Sequence, residues 1–350
     1  MKDTIKINNI TVGSNSEPII VAEMSGNHNQ SLDKALEIID AVAKSGAHAL
    51  KIQTYTADTL TINKKDGDFY LDNENSLWHG MSMYELYQQA HTPWKWHKQI
   101  FDRCSKLGLL CFSSPFDATA VDFLEELDCP CYKIGSTENT DFNLLRKVAE
   151  TGKPIIISTG MATVSELGQI VSEVKEAGCK DLILLKCTAA YPAKPSEANL
   201  LTIPHMQDLL DCHIGISDHT PGIGVAVASI ALGAVIVEKH FTLSRKDGGV
   251  DSAFSMEPHE FKQLVQETKI AWEARGCVHY GAVDSENSNF SRRSLYIVED
   301  MKSGEILSKE NLRSIRPGYG LPAKYLNDVL GLAVTKDVER GTRMSWDLVK

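Results

Sequence analysis

The chain has 350 residues, of which 43% are hydrophobic and 23% are charged, and its formal net charge is -10 at pH 7. This composition is typical of a globular protein with a large core and excludes a disordered chain, and the acidic balance argues against a general nucleic-acid binder. With no apolar stretch long enough for a membrane span or a secretory signal, we expect a cytoplasmic protein. The eight cysteines form no Cys-x-x-Cys pair, which predicts reduced and buried thiols.

Eight short apolar runs along the first 240 residues are predicted to be β-strands. They are residues 19–23, 49–53, 109–113, 131–134, 155–158, 182–186, 213–217 and 235–238. Amphipathic stretches separate most of them, and the first begins after Ser31, a typical helix N-cap. Because no hairpin signal joins the runs, the pattern favours a closed (β/α)8 TIM barrel of about 250 residues. An open doubly wound sheet is the alternative.

The connection between the second and third predicted strands is about twice the usual length of a βα connection. Residues 54–97 are rich in Tyr and Trp. We interpret this segment as a packed excursion followed by a helix. A loop that covers a substrate is the alternative, since loops on this face of a barrel carry specificity.

The pattern changes after Glu273, where a linker is predicted at about 276–290. Strand-like runs at 294–298 and 330–334, separated by turns that contain glycine, predict a small β-rich unit. We therefore predict a catalytic barrel over residues 1–284 and a second domain over residues 285–350.

Lysines and serines occur at the ends of several predicted strands, where the functional groups of a barrel are found. Lys51, Lys133 and Lys186 lie in strands whose other residues are mostly apolar, and such strands do not carry lysine without a reason. With Ser113, Ser114, Ser136 and Ser158 nearby, Lys51 and Lys133 predict a site for a phosphate or a carboxylate. Lys186 is equally compatible with a role at the rim of the barrel.

Two histidines follow the neighbouring seventh and eighth strands. His219 and His240 would lie close together, which suits a divalent ion whose other positions are left to water and substrate. A single histidine in such a place is more often a hydrogen-bonded rim residue. Glu23 and Glu238 end strands at the same rim and could orient or deprotonate a water. Asn27, in the first loop, adds a polar contact.

Several segments, in order along nearly the whole chain, match the motifs of one family. They are AEMSGNHN (22–29), KIQTY (51–55), KIGS (133–136), STGM (158–161), CTAAYP (187–192), SDHT (217–220), EKHF (238–241) and RPG (316–318). Together these motifs resemble the sialic acid synthase family. The resemblance implies a TIM barrel joined to a C-terminal antifreeze-like (SAF) domain, in a domain-swapped homodimer.

The resemblance also implies an activity, the condensation of phosphoenolpyruvate with an N-acetylated amino sugar to give a keto acid and phosphate. It implies catalytic roles for Glu23, Glu238 and His240, and a divalent ion on His219 and His240, with Mn²⁺ expected and Mg²⁺ or Co²⁺ as alternatives. The residues that it assigns to phosphoenolpyruvate are Lys51, Gln53, Ser113, Lys133, Ser136 and Ser158. Those that it assigns to the sugar are Asn27, Tyr191, Asp251 and, from the partner subunit, Arg316.

Other segments indicate which branch of the family this chain resembles. Residues 51–61, 84–87, 92–94 and 111–116 are most similar to the branch that takes a 2,4-diacetamido-2,4,6-trideoxy sugar of altrose configuration. Ala189 stands where N-acetylneuraminate synthases carry Asn, which argues against the mannosamine-derived substrate because an amide partner for sugar hydroxyls is missing.

Three alternative functions remain open. They are a synthase of the legionaminate or N-acetylneuraminate branch, a Schiff-base aldolase using Lys133 or Lys186, and a non-catalytic carbohydrate-binding protein.

Overall fold

The computed structural model describes residues 4–74, 77–286 and 288–350. The chain divides into two compact units, one ending at Gly276 and the other beginning at Cys277. This division falls at the start of the predicted linker 276–290, in which residue 287 lies outside the described residues. The boundary that we predicted, between residues 284 and 285, lies a few positions further on.

The first unit begins with a short antiparallel hairpin that the sequence analysis did not predict. Strands β1 (Ile5–Ile7) and β2 (Ile10–Val12) pair with Ile5 opposite Val12. Both side chains belong to the hydrophobic core of the barrel unit. Three-residue strands are too short for a clear alternating pattern, which explains why this hairpin was missed.

Eight parallel strands in the described part of the chain then form a closed barrel. They are β3 (Ile19–Glu23), β4 (Ala49–Thr54), β5 (Leu110–Pro115), β6 (Tyr132–Ile134), β7 (Ile155–Ser158), β8 (Leu182–Cys187), β9 (His213–Ser217) and β10 (Ile236–His240). Nearly all of their residues are buried, as expected for parallel strands covered on both faces. The TIM barrel prediction is confirmed, and the open sheet is excluded.

Helices surround the barrel and connect its strands. They are α1 (Leu32–Ser45), α2 (Ala57–Leu60), α3 (Met83–Ala90), α4 (Trp94–Lys106), α5 (Ala118–Glu126), α6 (Phe142–Ala149), α7 (Val164–Glu176), α8 (Thr202–Leu210), α9 (Gly224–Ala231) and α10 (Pro258–Arg275). Ser31 caps α1 through a hydrogen bond from the Lys34 N–H, as its position predicted. The excursion 54–97, of which residues 75 and 76 are outside the described part, contains α2, α3 and the start of α4.

The second unit has its own hydrophobic core. It contains α11 (Ser288–Ser291), β11 (Ser294–Ile297), β12 (Leu312–Ile315) and α12 (Leu326–Val329), and the two strands pair antiparallel. The predicted strand at 330–334 is wrong as a regular strand, because only isolated bridges form at Ala333 and Val334. The end of α12 at Val329 and the positive φ of Gly331 leave little room for a continuous ladder.

The cysteines follow the prediction, since all eight are free and only Cys277 is exposed. Among the described residues, no helix combines the length and the apolar character that crossing a bilayer requires.

Candidate active site

A cavity of about 500 Å³ opens at the C-terminal ends of the barrel strands, where a barrel carries its functional groups. The parallel register builds one part of its floor, because Glu23 on β3 is paired with Lys51 on β4 and with His240 on β10. Ten of the predicted site residues line the cavity. They are Lys51, Gln53, Lys133, Ser136, Ser158, Tyr191, His219, Glu238, His240 and Asp251.

One side of the cavity offers positive charge and hydroxyl donors. Lys133 Nζ donates to Ser158 Oγ at 2.7 Å, so the hydroxyl proton of Ser158 is free to point into the cavity. Ser136 is placed in the same way, because its Oγ accepts from the Gly160 N–H at 3.1 Å. A Cβ at position 160 would lie 2.7 Å from Ser136 Oγ, so a side chain there would displace that hydroxyl. An ammonium group and two oriented hydroxyls suit a phosphate or carboxylate oxygen.

Carboxylates hold the two cavity lysines in place. Lys51 Nζ contacts Glu23 Oε2 and lies 3.2 Å from Glu238 Oε1, which is also 3.8 Å from Lys133 Nζ. Burial alone would raise the pKa of Glu238, but the nearby ammonium groups of Lys133 and Lys51 outweigh it and hold that pKa well below its usual range. Burial lowers the pKa of Lys51 to about 8. These buried groups form a preorganised charged cluster.

Glu23 lies behind this cluster. It is 1% exposed and does not line the cavity. Its Oε1 accepts from the Ser25 N–H at 2.9 Å, while its Oε2 contacts Lys51. Glu23 is therefore placed to orient Lys51, whereas Glu238 reaches the cavity itself.

Two imidazoles form the other side of the cavity, with ring centroids 5.4 Å apart. His219 Nδ1 donates to the Thr188 carbonyl at 2.9 Å, which in the neutral ring leaves the lone pair on Nε2. Burial, followed by the charge of His219, holds the pKa of His240 well below its usual range. The buried Nδ1 of His240 has no hydrogen-bond partner among the described residues and lies 3.9 Å from Asp251 Oδ2.

These two rings fit a divalent ion with open coordination. Neutral imidazoles are good ligands for such ions, and the unpartnered Nδ1 of His240 is a buried polar atom that a ligand would satisfy. The described residues contain no group of three or more His, Cys, Asp or Glu side chains arranged around a metal position. Water and substrate would therefore fill the remaining positions.

Two predicted site residues turn away from the cavity, which corrects their assignment. Ser113 Oγ bonds to Thr54 Oγ1 at 2.6 Å and donates to the Ile52 carbonyl at 3.1 Å, inside the wall of the barrel. The lining residue is its neighbour Ser114, because successive side chains of β5 point to opposite faces. Asn27 donates to the Phe241 carbonyl and to Ser255 Oγ, both at 2.9 Å, and so supports the loop.

Two further predicted residues lie elsewhere. Lys186 Nζ donates to Thr188 Oγ1 at 3.0 Å and does not line the cavity. Arg316 lies in the second unit, where it is exposed.

The sequence analysis missed a carboxylate that lines the cavity, Glu138. Its Oε1 accepts from Thr137 Oγ1 at 2.6 Å, and within the described part of the chain its buried Oε2 has no hydrogen-bond partner. Burial raises the pKa of this carboxyl, in contrast to Glu238. Glu138 was missed because it lies in the loop that follows β6, with no periodicity to mark the direction of its side chain.

The excursion supplies an apolar wall of the cavity, formed by Leu60, Met83, Leu86 and Ala90. Trp78 also lines the cavity, and its Nε1 donates to the Val250 carbonyl at 2.9 Å. The Tyr191 ring packs on His219 with centroids 4.3 Å apart. The cavity is thus charged at its floor, aromatic beside the imidazoles and apolar along the excursion.

Comparison with known proteins identifies the family. A model of the NeuB family matches residues 38–280, and a model of the SAF domain matches residues 292–350. The pseudaminic acid synthase of Campylobacter jejuni is 43% identical over 326 residues, which are 92% of this chain and 94% of that protein. The pseudaminic acid synthase of Helicobacter pylori is 40% identical over 332 residues, 94% of this chain and 97% of that protein.

A solved structure shows the same likeness. The N-acetylneuraminic acid (sialic acid) synthetase of Leptospira borgpetersenii superposes with a TM-score of 0.72 at 32% identity, covering 81% of this chain and 93% of that chain. The resemblance to sialic acid synthases, including the C-terminal SAF domain, is confirmed. The family match spans most of the barrel and the relatives span nearly the whole chain, so the protein belongs to the NeuB family.

Proposed function

We propose that this protein has pseudaminic acid synthase activity. It condenses phosphoenolpyruvate with 2,4-diacetamido-2,4,6-trideoxy-β-L-altropyranose and water, giving pseudaminic acid and phosphate. The observation that carries this proposal is a cavity in which ammonium groups and hydroxyls face two imidazoles. The identity of 40% and 43% to two pseudaminic acid synthases supports it.

The charged side of the cavity suits phosphoenolpyruvate. Lys51 and Lys133, with the hydroxyls of Ser136 and Ser158, would hold its phosphate and carboxylate oxygens. Held in this way, the enol carbon can attack the aldehyde carbon of the open-chain sugar, and the new carbon–carbon bond forms within the cavity.

His219 and His240 would hold a divalent ion, with Mn²⁺ as our first choice. When bound, such an ion supplies Lewis acidity to a carbonyl oxygen. Tyr191, packed on His219, would restrict that ring and present an amphipathic face to the sugar.

The carboxylates divide into a base and an acid. Glu238, held ionised by two lysines, suits the base that takes a proton from water as the water adds to the phosphate-bearing carbon. The tetrahedral intermediate then loses phosphate by cleavage of its carbon–oxygen bond. Glu138, whose pKa is raised by burial, suits the acid that protonates the former aldehyde oxygen.

The role of Glu138 leads to a prediction. We expect Glu138→Gln to lower kcat by about 100-fold, because general acid catalysis contributes at least that much. The KM for phosphoenolpyruvate should change little, since we assign the binding of that substrate to Lys51, Lys133 and the serine hydroxyls and not to Glu138. Steady-state rates measured for both substrates test this, and an unchanged kcat would remove Glu138 from the chemistry.

The sugar assignment follows from the neutral and apolar parts of the cavity. Met83 and Leu86 of the excursion provide apolar surface in the cavity that suits the C6 methyl group of a 6-deoxy sugar, and Ala189 replaces the Asn of N-acetylneuraminate synthases. A hydroxymethyl group in the same place would lose hydrogen bonds to water.

The test is phosphate release from phosphoenolpyruvate with Mn²⁺, comparing three sugars in parallel. They are the altrose-type diacetamido sugar, its legionaminate-pathway isomer and N-acetylmannosamine. We expect the highest kcat/KM with the first. Preference for another sugar would overturn the sugar assignment alone, and no release with any of them would overturn the synthase activity.

We further propose that the active form is a homodimer in which Arg316 reaches the sugar site of the partner subunit. We expect Arg316→Ala and His240→Ala proteins, each nearly inactive, to recover about one quarter of the wild-type activity when mixed. Half of the exchanged dimers are mixed, and each then has one complete site. Subunit exchange is verified by mass spectrometry of differently tagged chains, and exchange without recovery would contradict the cross-subunit role.

A further inference from the structure

A buried ion pair lies next to the two histidines but outside the cavity. Lys239 and Asp218 are 2% and 4% exposed, and Lys239 Nζ donates to Asp218 Oδ2 at 2.8 Å. Neither lines the cavity, whereas Glu238 and His240 do, as expected from side chains that alternate along β10. A buried ion pair is weak support for stability, so its place beside the imidazoles needs another explanation.

The pair holds both chain neighbours of His219. Asp218 Oδ1 accepts from the Thr220 N–H at 2.9 Å and from Thr220 Oγ1 at 2.8 Å. Lys239 Nζ also donates to the Thr220 carbonyl at 2.7 Å. Residues 218 and 220 are therefore tied to each other and, through Lys239, to the end of β10.

His219 is constrained further by its own contacts. Its Nδ1 donates to the Thr188 carbonyl at 2.9 Å, and its backbone carbonyl accepts from the Ala193 N–H at 3.0 Å. The loop after β9 is thus held on several sides, and the orientation of Nε2 depends on that loop.

We propose that the Lys239–Asp218 pair is a positioning element that sets the spacing and orientation of His219 and His240 for one divalent cation. Each member of the pair directly precedes one of the two histidines in the chain, so one ion pair couples both ligand-bearing strand ends. The inference rests on the metal site of the proposed function. Groups that orient metal ligands in this way typically contribute about 10–100-fold in metal affinity.

The test measures Mn²⁺ binding without substrates, by the loss of the free-ion electron paramagnetic resonance signal, together with the thermal unfolding midpoint. Lys239→Met leaves Asp218 buried and unpaired, so we expect a lower midpoint and a Mn²⁺ dissociation constant raised by about 10-fold or more. The double substitution Asp218→Leu with Lys239→Met removes both charges. We expect its midpoint to return towards that of the wild type, while the dissociation constant stays raised because the contacts to Thr220 are lost.

A matched control is Lys153→Met. Lys153 pairs with Glu125 at 2.6 Å and precedes β7, at the opposite end of the barrel from the cavity. This variant should bind Mn²⁺ as the wild type does. The control therefore shows whether losing any lysine and its ion pair weakens Mn²⁺ binding, or only losing the pair beside the two histidines.

The double variant shows whether the Lys239–Asp218 pair positions the two histidines or only stabilises the fold. A wild-type dissociation constant in that variant would show that the pair only stabilises the fold, and would overturn the inference. His219→Ala reports separately on the metal site. If it binds Mn²⁺ as tightly as the wild type, the ion is not held by His219, and the proposed metal site fails together with the inference that depends on it.

Discussion

His240→Ala should lower kcat by about 1000-fold, which corresponds to the loss of about 4 kcal/mol of transition-state stabilisation by a bound ion. His240 is one of two imidazoles at the cavity, and no described residue gives its buried Nδ1 a hydrogen bond. Removing the ring leaves His219 alone, and a single imidazole holds a divalent ion weakly. The residual rate should therefore respond to Mn²⁺ only at much higher concentrations.

The measurement is phosphate release as a function of Mn²⁺ concentration, after the protein has been stripped with EDTA. His205→Ala is the control, because His205 lies on the exposed face of α8, away from the cavity. We expect the control to match the wild type. Equal Mn²⁺ dependence of His240→Ala and the wild type would remove His240 from the metal site.

The second large effect is expected for Lys133→Met. Lys133 is 2% exposed, donates to Ser158 Oγ and lies 3.8 Å from Glu238 Oε1. Its loss would remove the charge-assisted contact that we propose to phosphoenolpyruvate, and it removes the donor that orients the Ser158 hydroxyl. We expect kcat/KM for phosphoenolpyruvate to fall by about 100-fold, mainly through KM, since hydrogen bonds to charged groups contribute about 1.5–3 kcal/mol.

Kinetics at saturating sugar separate the two parameters, and titration calorimetry with phosphoenolpyruvate gives the binding constant directly. Lys153→Met again controls for removal of a lysine. The thermal unfolding midpoint has to be recorded as well, because Glu238 then loses one of its two lysine partners among the described residues and keeps Lys51. A KM equal to that of the wild type would contradict the assignment of Lys133 to the anion site.

Much of the candidate site could be predicted because strand ends of a parallel barrel meet at one rim. Lys51 and Lys133 were recognisable as lysines in apolar strands, and His219 and His240 as histidines after neighbouring strands. Their positions along the chain were enough to bring them together, whatever the exact register. Gln53 was recognisable at the same strand end as Lys51, and the family motifs then assigned it to phosphoenolpyruvate.

The incorrect placement of Ser113 and Asn27 and the omission of Glu138 have a different cause. Ser113 and Ser114 are consecutive in β5, and the sequence does not state which of the two faces the cavity. Asn27 and Glu138 lie in loops, where no period links position to direction. In the structure Asn27 is held by Phe241 and Ser255, and such contacts join residues far apart in the chain.

The sequence by itself determined the barrel, the approximate strand bounds and the kinds of groups at its rim, because hydrophobic periodicity is a local property of the chain. Only the tertiary structure decided how these groups are paired: Lys51 between Glu23 and Glu238, and Lys239 with Asp218 outside the cavity. Such pairing depends on register between strands and on which face each side chain takes. A shift of one residue in a strand would exchange the cavity face for the opposite one.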